Sequence, residues 1–257
     1  MTNVLVCVKR VPDFSGEVLL TADAQGVDAR FVGFTVSAHE SCAVELAVQI
    51  AAAGGGTATV LTLGPGEAVE QLRSALGVGC TGAVLVEADP VGFGPADVAR
   101  EIAAVVAAHE AAGRTYDLIL LGNDAADTGD FQVGIRLAYA LGRPVVNGIN
   151  TVEVADGVAT ARGAGADGGV ETYRVPLPAV ATVLEGGVEP RYPTITGRMK
   201  AKKITVEVVE PRREPVGSGR VRLTLPPAQP STVEVLGEGT AAVPAVVDLL
   251  RSLGVLR

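Results

Sequence analysis

The chain reads as an α/β protein: a three-layer α/β/α arrangement around a mostly parallel sheet, with an antiparallel edge and an extended C-terminal arm. Three observations predict this. Short runs rich in apolar and β-branched residues (NVLVCV from Asn3 to Val8, TATVLTL from Thr57 to Leu63, LILL from Leu118 to Leu121) have the length and character of strands buried on both faces. Stretches with helical apolar spacing fill the intervals between them. Ala, Val and Gly dominate the composition, which suits close packing of helices on a sheet.

Taken in order, the first strand runs straight into Lys9 and Arg10, which puts two cations at the carboxyl edge of the sheet. Pro12 and Asp13 turn the chain and leave Phe14 on a loop; Gly16 to Gly33 alternates weakly, as a hairpin-like excursion would. Ser37 to Ala53 is a helix. Ser37 or Ser41 can cap it, Val44, Ala47, Val48 and Ala51 share one face, and Gly54 to Gly56 ends it. The strand at Thr57 to Leu63 closes on Gly64-Pro65. A helix over Glu67 to Leu76, a strand over Ala83 to Glu87 and a helix over Ala96 to Ala112 lead to the Leu118 strand.

Gly122 stops that strand, a polar loop follows, and Gln132 to Leu141 has the apolar spacing of a helix. In an open α/β sheet such a loop lies outside the carboxyl end of a strand, where these sheets bind ligands. The helix start beyond it offers free backbone N–H groups and a positive dipole end, which suit a phosphate. Gly122, Ala125, Ala126 and Gly129 are small enough to let a ligand approach the backbone. An ordinary strand–loop–helix connection has the same pattern. The strand ends at Val8, Leu63 and Leu121 gather on one edge and could line one pocket. There is neither a GxGxxG after the first strand nor a GxxxxGK[ST], so a nucleotide here must be held in another way.

Thr151 to Gly163 and Glu171 to Val175 alternate around Asp156-Gly157 and Asp167-Gly168-Gly169, which are hairpin signals, and Pro176 to Val183 is a further apolar strand. From Gly186 the chain becomes Pro-rich, basic and poorly periodic. Lys200, Lys202 and Lys203 form a basic island beside apolar Ile195 and Met199, which reads as a docking segment. Thr205 to Leu225 is extended and mixed, Pro226 to Pro230 is a linker, and Val243 to Leu253 is an amphipathic helix with Val243, Val246, Val247, Leu250 and Leu253 on its apolar face. The expected organisation is an α/β nucleotide-binding domain over residues 1–188, a recognition loop over 189–204, and an arm over 205–257 that packs on another chain.

A net charge of −8, from 21 basic and 29 acidic residues, argues against a nucleic-acid binder. No apolar run is long enough to span a membrane, and the basic residues follow the first apolar run instead of preceding it, so a cytoplasmic protein is expected. Cys7, Cys42 and Cys80 lie far apart and fit small buried hydrophobes better than a metal or redox site. His39 and His109 have no nucleophile motif nearby, so no catalytic residue is expected.

Several segments together resemble the β subunit of electron-transfer flavoproteins. These are VKRVPD at Val8 to Asp13, AVELAV at Ala43 to Val48, LGP at Leu63 to Pro65, GNDAAD…QVG over Gly122 to Gly134, DGGVET at Asp167 to Thr172, LPAV at Leu177 to Val180 and, most specific, EPRYPTITGRMKAKK at Glu189 to Lys203. Their order fits over essentially the whole chain. The resemblance implies an adenine-nucleotide α-hydrolase-like fold and a heterodimer with an α subunit that carries most of the redox-active FAD. It also implies a structural AMP on the β subunit, and an electron carrier without bond chemistry of its own. It places the nucleotide around Cys7, Lys9, Ser37, Ala38, His39, Glu40, Leu63 and Gly64. The same site takes in Gly122, Asn123, Asp124, Ala125, Asp127, Thr128, Gly129, Phe131, Gln132 and Val133. Phe14 falls near the flavin ring. Ile195 takes the anchor position for acyl-CoA and related dehydrogenases, beside Met199 and the lysines, and a quinone reductase is the expected acceptor.

Phe131 and Val133 stand where many AMP-binding members have side chains that hydrogen-bond. The Gln132-Val133-Gly134 ending is similar to members that bind a second FAD in place of AMP and bifurcate electrons from NADH. Those usually carry Thr-Ala before that tripeptide and Pro after it, where this chain has Phe131 and Ile135. A bifurcating subunit is therefore one alternative. A stand-alone nucleotide-binding stress-type protein is another, which the long basic tail argues against.

Overall fold

A computed structural model describes the chain except residues 14–17, 29, 31, 228–232 and 257. The described residues form two compact units, Met1–Leu223 and Thr224–Arg257. The strands of the first are β1 (Val4–Cys7), β2 (Val11–Pro12), β3 (Phe34–Thr35), β4 (Ala58–Gly64), β5 (Gly82–Glu87), β6 (Leu118–Gly122), β7 (Val145–Ala155), β8 (Val158–Ala164), β9 (Val170–Pro176), β10 (Ala179–Val183) and β11 (Val206–Val209). Its helices are α1 (Ala38–Ala53), α2 (Val69–Val78), α3 (Pro95–Ala111), α4 (Val133–Leu141) and α5 (Ile195–Ala201).

Nine strands make one sheet in the order β11-β5-β4-β1-β6-β10-β7-β8-β9, and β2 and β3 pair separately. Every pairing from β11 to β7 is parallel; β7, β8 and β9 are antiparallel. Alternation along β1 divides the core in two. Val4, Val6 and Val8 pack with α1 and α2, whereas Leu5 and Cys7 pack with α3 and α4 residues such as Ile102, Val106 and Leu137. That is the three-layer arrangement expected from the buried apolar runs. Asp156 and Gly157, both at positive φ (51° and 73°), turn β7 into β8, as the Asp-Gly pair predicts.

Three elements differ from expectation. β7 starts at Val145, upstream of Thr151, because its first residues run parallel to β10 with a bulge near Gly148 and do not alternate cleanly. The poorly periodic basic stretch contains helix α5, capped by Thr194, whose Oγ1 accepts from the Gly197 N–H at 3.0 Å. Part of the stretch read only as extended is β11, a full member of the sheet that pairs parallel with β5.

Residues 210–217 are held on α3 by two buried carboxylates. Glu101 Oε2 accepts from the Arg212 N–H at 2.8 Å. Asp97 accepts from the N–H groups of Gly94, Val216 and Gly217 at 3.0, 3.0 and 2.8 Å, and also pairs with Arg100. At the other end of the sheet, β9 is an edge strand with no buried residue.

The second unit contains α6 (Val243–Ser252), the amphipathic helix expected at Val243 to Leu253. None of its residues is buried, and Val243, Val246 and Leu249 are exposed. Among the described residues no helix is long and apolar enough to cross a membrane.

Candidate functional site

From β1 the chain steps through α1 to β4 and through α2 to β5, then crosses back through α3 to β6 on the opposite side of β1. The strand order therefore reverses between β1 and β6. Their carboxyl ends, in register with Cys7 beside Leu121, diverge to helices on opposite faces, and the crevice between them is where such sheets bind ligands.

One wall is the end of β1 and the start of α1. Ser37 and Glu40 form a reciprocal capping box: the Glu40 N–H donates to Ser37 Oγ at 3.2 Å, and the Ser37 N–H donates to Glu40 Oε2 at 2.9 Å. Glu40 Oε1 also accepts from the Lys9 N–H at 2.6 Å, so one carboxylate ties the end of β1 to the first turn of α1. Burial pushes the Glu40 carboxyl up to about 7, despite the opposing hydrogen bonds from Ser37 and Lys9. Its side chain also fixes the other wall: a Cβ on Gly122 would stand 2.8 Å from Glu40 Cγ, so only glycine fits there. Ala38 is exposed beside it and His39 half-buried.

The other wall is the loop from Gly122 to Val133. Its Asn123 is anchored by its N–H to Val183 O at 2.9 Å and by its Oδ1, which accepts from the buried Thr182 hydroxyl at 2.7 Å. The loop turns on itself through Gly129 N–H to Ala125 O at 2.7 Å and Ala125 N–H to Asp130 O at 3.2 Å. The Thr128 hydroxyl donates to Asp130 Oδ2 at 2.6 Å.

Lys9 and His39 each reach across the crevice. Lys9 Nζ lies 2.6 Å from Asp127 Oδ1 and 3.5 Å from Thr128 Oγ1. His39 Nδ1 lies 2.5 Å from Asp124 Oδ1, close but not aligned as a hydrogen bond. The loop runs into α4, and among the described residues no side chain caps its N-terminus, unlike that of α1, which leaves its first-turn N–H groups without side-chain acceptors. Gln132 and Phe131 are exposed and Val133 is half-buried. Leu63 and Gly64, at the end of β4, are buried one strand away. The Cys7 thiol is buried among Leu5, Leu61 and Leu121, and burial raises it above the ordinary cysteine value. Phe14 lies outside the described residues.

Sequence reasoning missed Thr182, whose signal was a polar residue inside an otherwise apolar strand. It also missed the contact of Arg10, whose guanidinium lies 3.4 Å over the Phe34 ring.

The stretch expected to dock a partner forms a separate surface. Ile195 is 82% exposed and Met199 63%, and Lys200, Lys202 and Lys203 are exposed around them. Buried Glu45 on α1 grips the segment's start, taking Arg191 Nε on both oxygens at 2.8 and 2.9 Å. An Arg73 guanidinium nitrogen closes its end by donating to the carbonyls of Ala201 and Ile204.

A model of the electron transfer flavoprotein domain matches residues 27–213. The chain is similar to the electron transfer flavoprotein subunit beta of Syntrophomonas wolfei, 34% identical over 97% of this chain and 96% of that one. It is 32% identical to the corresponding protein of Bacillus subtilis over 97% of this chain and 98% of that one. The mitochondrial subunit beta of Oryza sativa subsp. indica is 34% identical over 81% of this chain and 82% of that one. The fold, the crevice at the strand-order reversal and near-complete alignment with these β subunits agree: this chain belongs to the electron transfer flavoprotein family.

Proposed function

We propose that this chain is the β subunit of a heterodimeric electron carrier. In this reading it binds AMP as a structural ligand, completes the flavin environment of an FAD-bearing α subunit and recruits the donor dehydrogenase. It makes and breaks no bonds. The observation that carries the nucleotide reading is the convergence of the Lys9 ammonium, His39 and the α4 start without a side-chain cap on one crevice at the sheet's switch point. A mononucleotide fits this donor set, because an ammonium and first-turn N–H groups suit a phosphate while the ends of β1 and β4 offer an apolar wall for a base. Lys9, His39 and the amides of Gln132 to Gly134 would hold it. Asn123 and Glu40 would position the walls.

The recognition surface is α5 with its preceding loop, residues 189–204. Ile195 supplies the apolar anchor, and the lysines orient an acyl-CoA-type dehydrogenase and speed its approach. Electrons then pass through the α-subunit FAD to a quinone reductase. The body over 1–188 carries the nucleotide, and within the arm the α6 unit lies on the α subunit, which would cover its exposed apolar residues.

The test is to purify the chain with its α partner, denature the complex and identify the released nucleotides. One FAD and one AMP per heterodimer is the expected result. Two FAD and no AMP would make the Gln132-Val133-Gly134 turn a second flavin site and the protein a bifurcating subunit.

A further inference from the structure

We propose that Asp127 is a resident competitor for the nucleotide phosphate, and so the residue that sets how readily the crevice admits a phosphorylated ligand. This rests on the nucleotide reading above. Lys9 is the only lysine or arginine that pairs with the Gly122–Val133 loop across the crevice among the described residues, and its ammonium is held by Asp127 Oδ1 at 2.6 Å. The neighbouring carboxylate on its own wall, Glu40, cannot take it. Both Glu40 oxygens are committed to the Lys9 N–H and to Ser37. The Lys9 backbone is fixed by that same contact, and among the described residues Asp127 is the carboxylate that pairs with its ammonium.

The loop's other carboxylates do not share this position. Asp124 faces His39 at 2.5 Å, and Asp130 turns back on the Thr128 hydroxyl at 2.6 Å. The Asp127 carboxylate therefore occupies the place on Lys9 that a phosphate oxygen would take, and it sits in a half-buried crevice where two anions on one ammonium repel strongly. A phosphate must displace Asp127 or share its cation. The apparent affinity is then the intrinsic affinity multiplied by the fraction of molecules in which the pair is open. A ligand without phosphate is free of this competition, so Asp127 works against one class of ligand and not the other.

The experiment uses the complex with the α subunit, stripped of bound mononucleotide, and measures AMP and adenosine binding by calorimetry. Asp127→Asn removes the charge and keeps the shape. AMP should bind about tenfold tighter in this variant, and adenosine should change less than twofold. In a Lys9→Met background the same substitution should lose most of its effect, the signature of coupling between the pair. Asp130→Asn, which removes an equal charge from the loop but none from Lys9, should leave AMP within about twofold of the parent. Should Asp127→Asn not fold, Asp127→Ser carries the same expectation. Measurable and equal AMP affinity in parent and variant would overturn the competitor and leave the AMP reading standing, as would equal tightening of AMP and adenosine or an equal gain from Asp130→Asn. No AMP binding to any of these proteins at millimolar concentration would overturn both.

Discussion

Gly77 and Gly197 touch through their backbones: a Cβ on Gly197 would stand 2.2 Å from the Gly77 carbonyl oxygen. This contact seats α5 on α2, and no side chain can yield to relieve a clash there. Gly197→Ala should therefore lift the helix from the body and cost about 1–3 kcal/mol. Thermal unfolding should show a lower midpoint, and hydrogen exchange should speed up over residues 195–201 before the sheet. Parent-like exchange in that helix would contradict the seating.

Asp97 clasps the segment that follows β11. Burial alone would raise its carboxyl, but the N–H groups of Val216, Gly94 and Gly217 together with Arg100 outweigh that and hold it below the ordinary aspartate value. Its contribution to stability is thus present at neutral pH and lost as the pH falls from the ordinary value towards the lower folded one. Asp97→Asn, which turns an amide towards N–H donors, should cost about 2–4 kcal/mol and lower the urea midpoint at pH 7. An unchanged midpoint would show the clasp to be dispensable.

Glu40 gives the opposite pH signature. Its folded pKa of about 7 lies above the ordinary 4.5, so the folded state keeps a proton that the unfolded chain has released. The stability it confers is complete below the ordinary value and declines as the pH rises to about 7, by about 1.4 kcal/mol per pH unit within that window. The difference in unfolding free energy between the parent and Glu40→Gln should fall across that range and level off above it. Parallel profiles for the two proteins would place the carboxyl at its ordinary value.

Ile195 should matter to a partner and not to the fold. With its side chain almost wholly in water, Ile195→Ala should change stability by less than about 0.5 kcal/mol. Under the proposed docking role, reduction by a donor dehydrogenase should slow about tenfold while the content of any bound flavin and nucleotide stays at parent levels. Equal reduction rates would remove Ile195 from the docking surface.

The parallel core was legible because its signal is local. Consecutive apolar residues at β1 and β6, and an apolar run spaced by threonines at β4, leave few other assignments, and Asp156-Gly157 names its own turn. Helix α5 was not legible. It is too short to persist alone, and its support comes from Gly77, Arg73 and Thr194, two of which lie on another helix. The pairing of β11 with β5 is likewise a fact about distant residues. At the site, the gathering of strand ends followed from parallel order, whereas the grip of Glu40 on Lys9 could not be read from spacing. A glutamate three residues after a capping serine signals a capping box, and nothing local says that its second oxygen reaches a different strand. Buried Glu45 did leave a trace: it is a charge next to Leu46 on the helix's apolar side, a pattern that calls for a cation elsewhere, here Arg191.

The open flank at β9 bears on how this protein behaves in concentrated solution. A strand of seven residues at the sheet's edge, with one row of backbone groups unpaired among the described residues, is a template on which another chain can crystallise a strand of its own, and Val170 and Tyr173 add apolar surface to it. Arg174 and Glu171 interrupt that surface, and Pro176 ends it without an N–H to offer. The remaining safeguard is mutual repulsion between molecules of charge −8, which weakens as carboxylates take up protons. Mildly acidic buffers therefore remove the barrier to edge-to-edge stacking while the sheet itself is still intact, so a preparation should cloud by assembly of folded molecules before it unfolds.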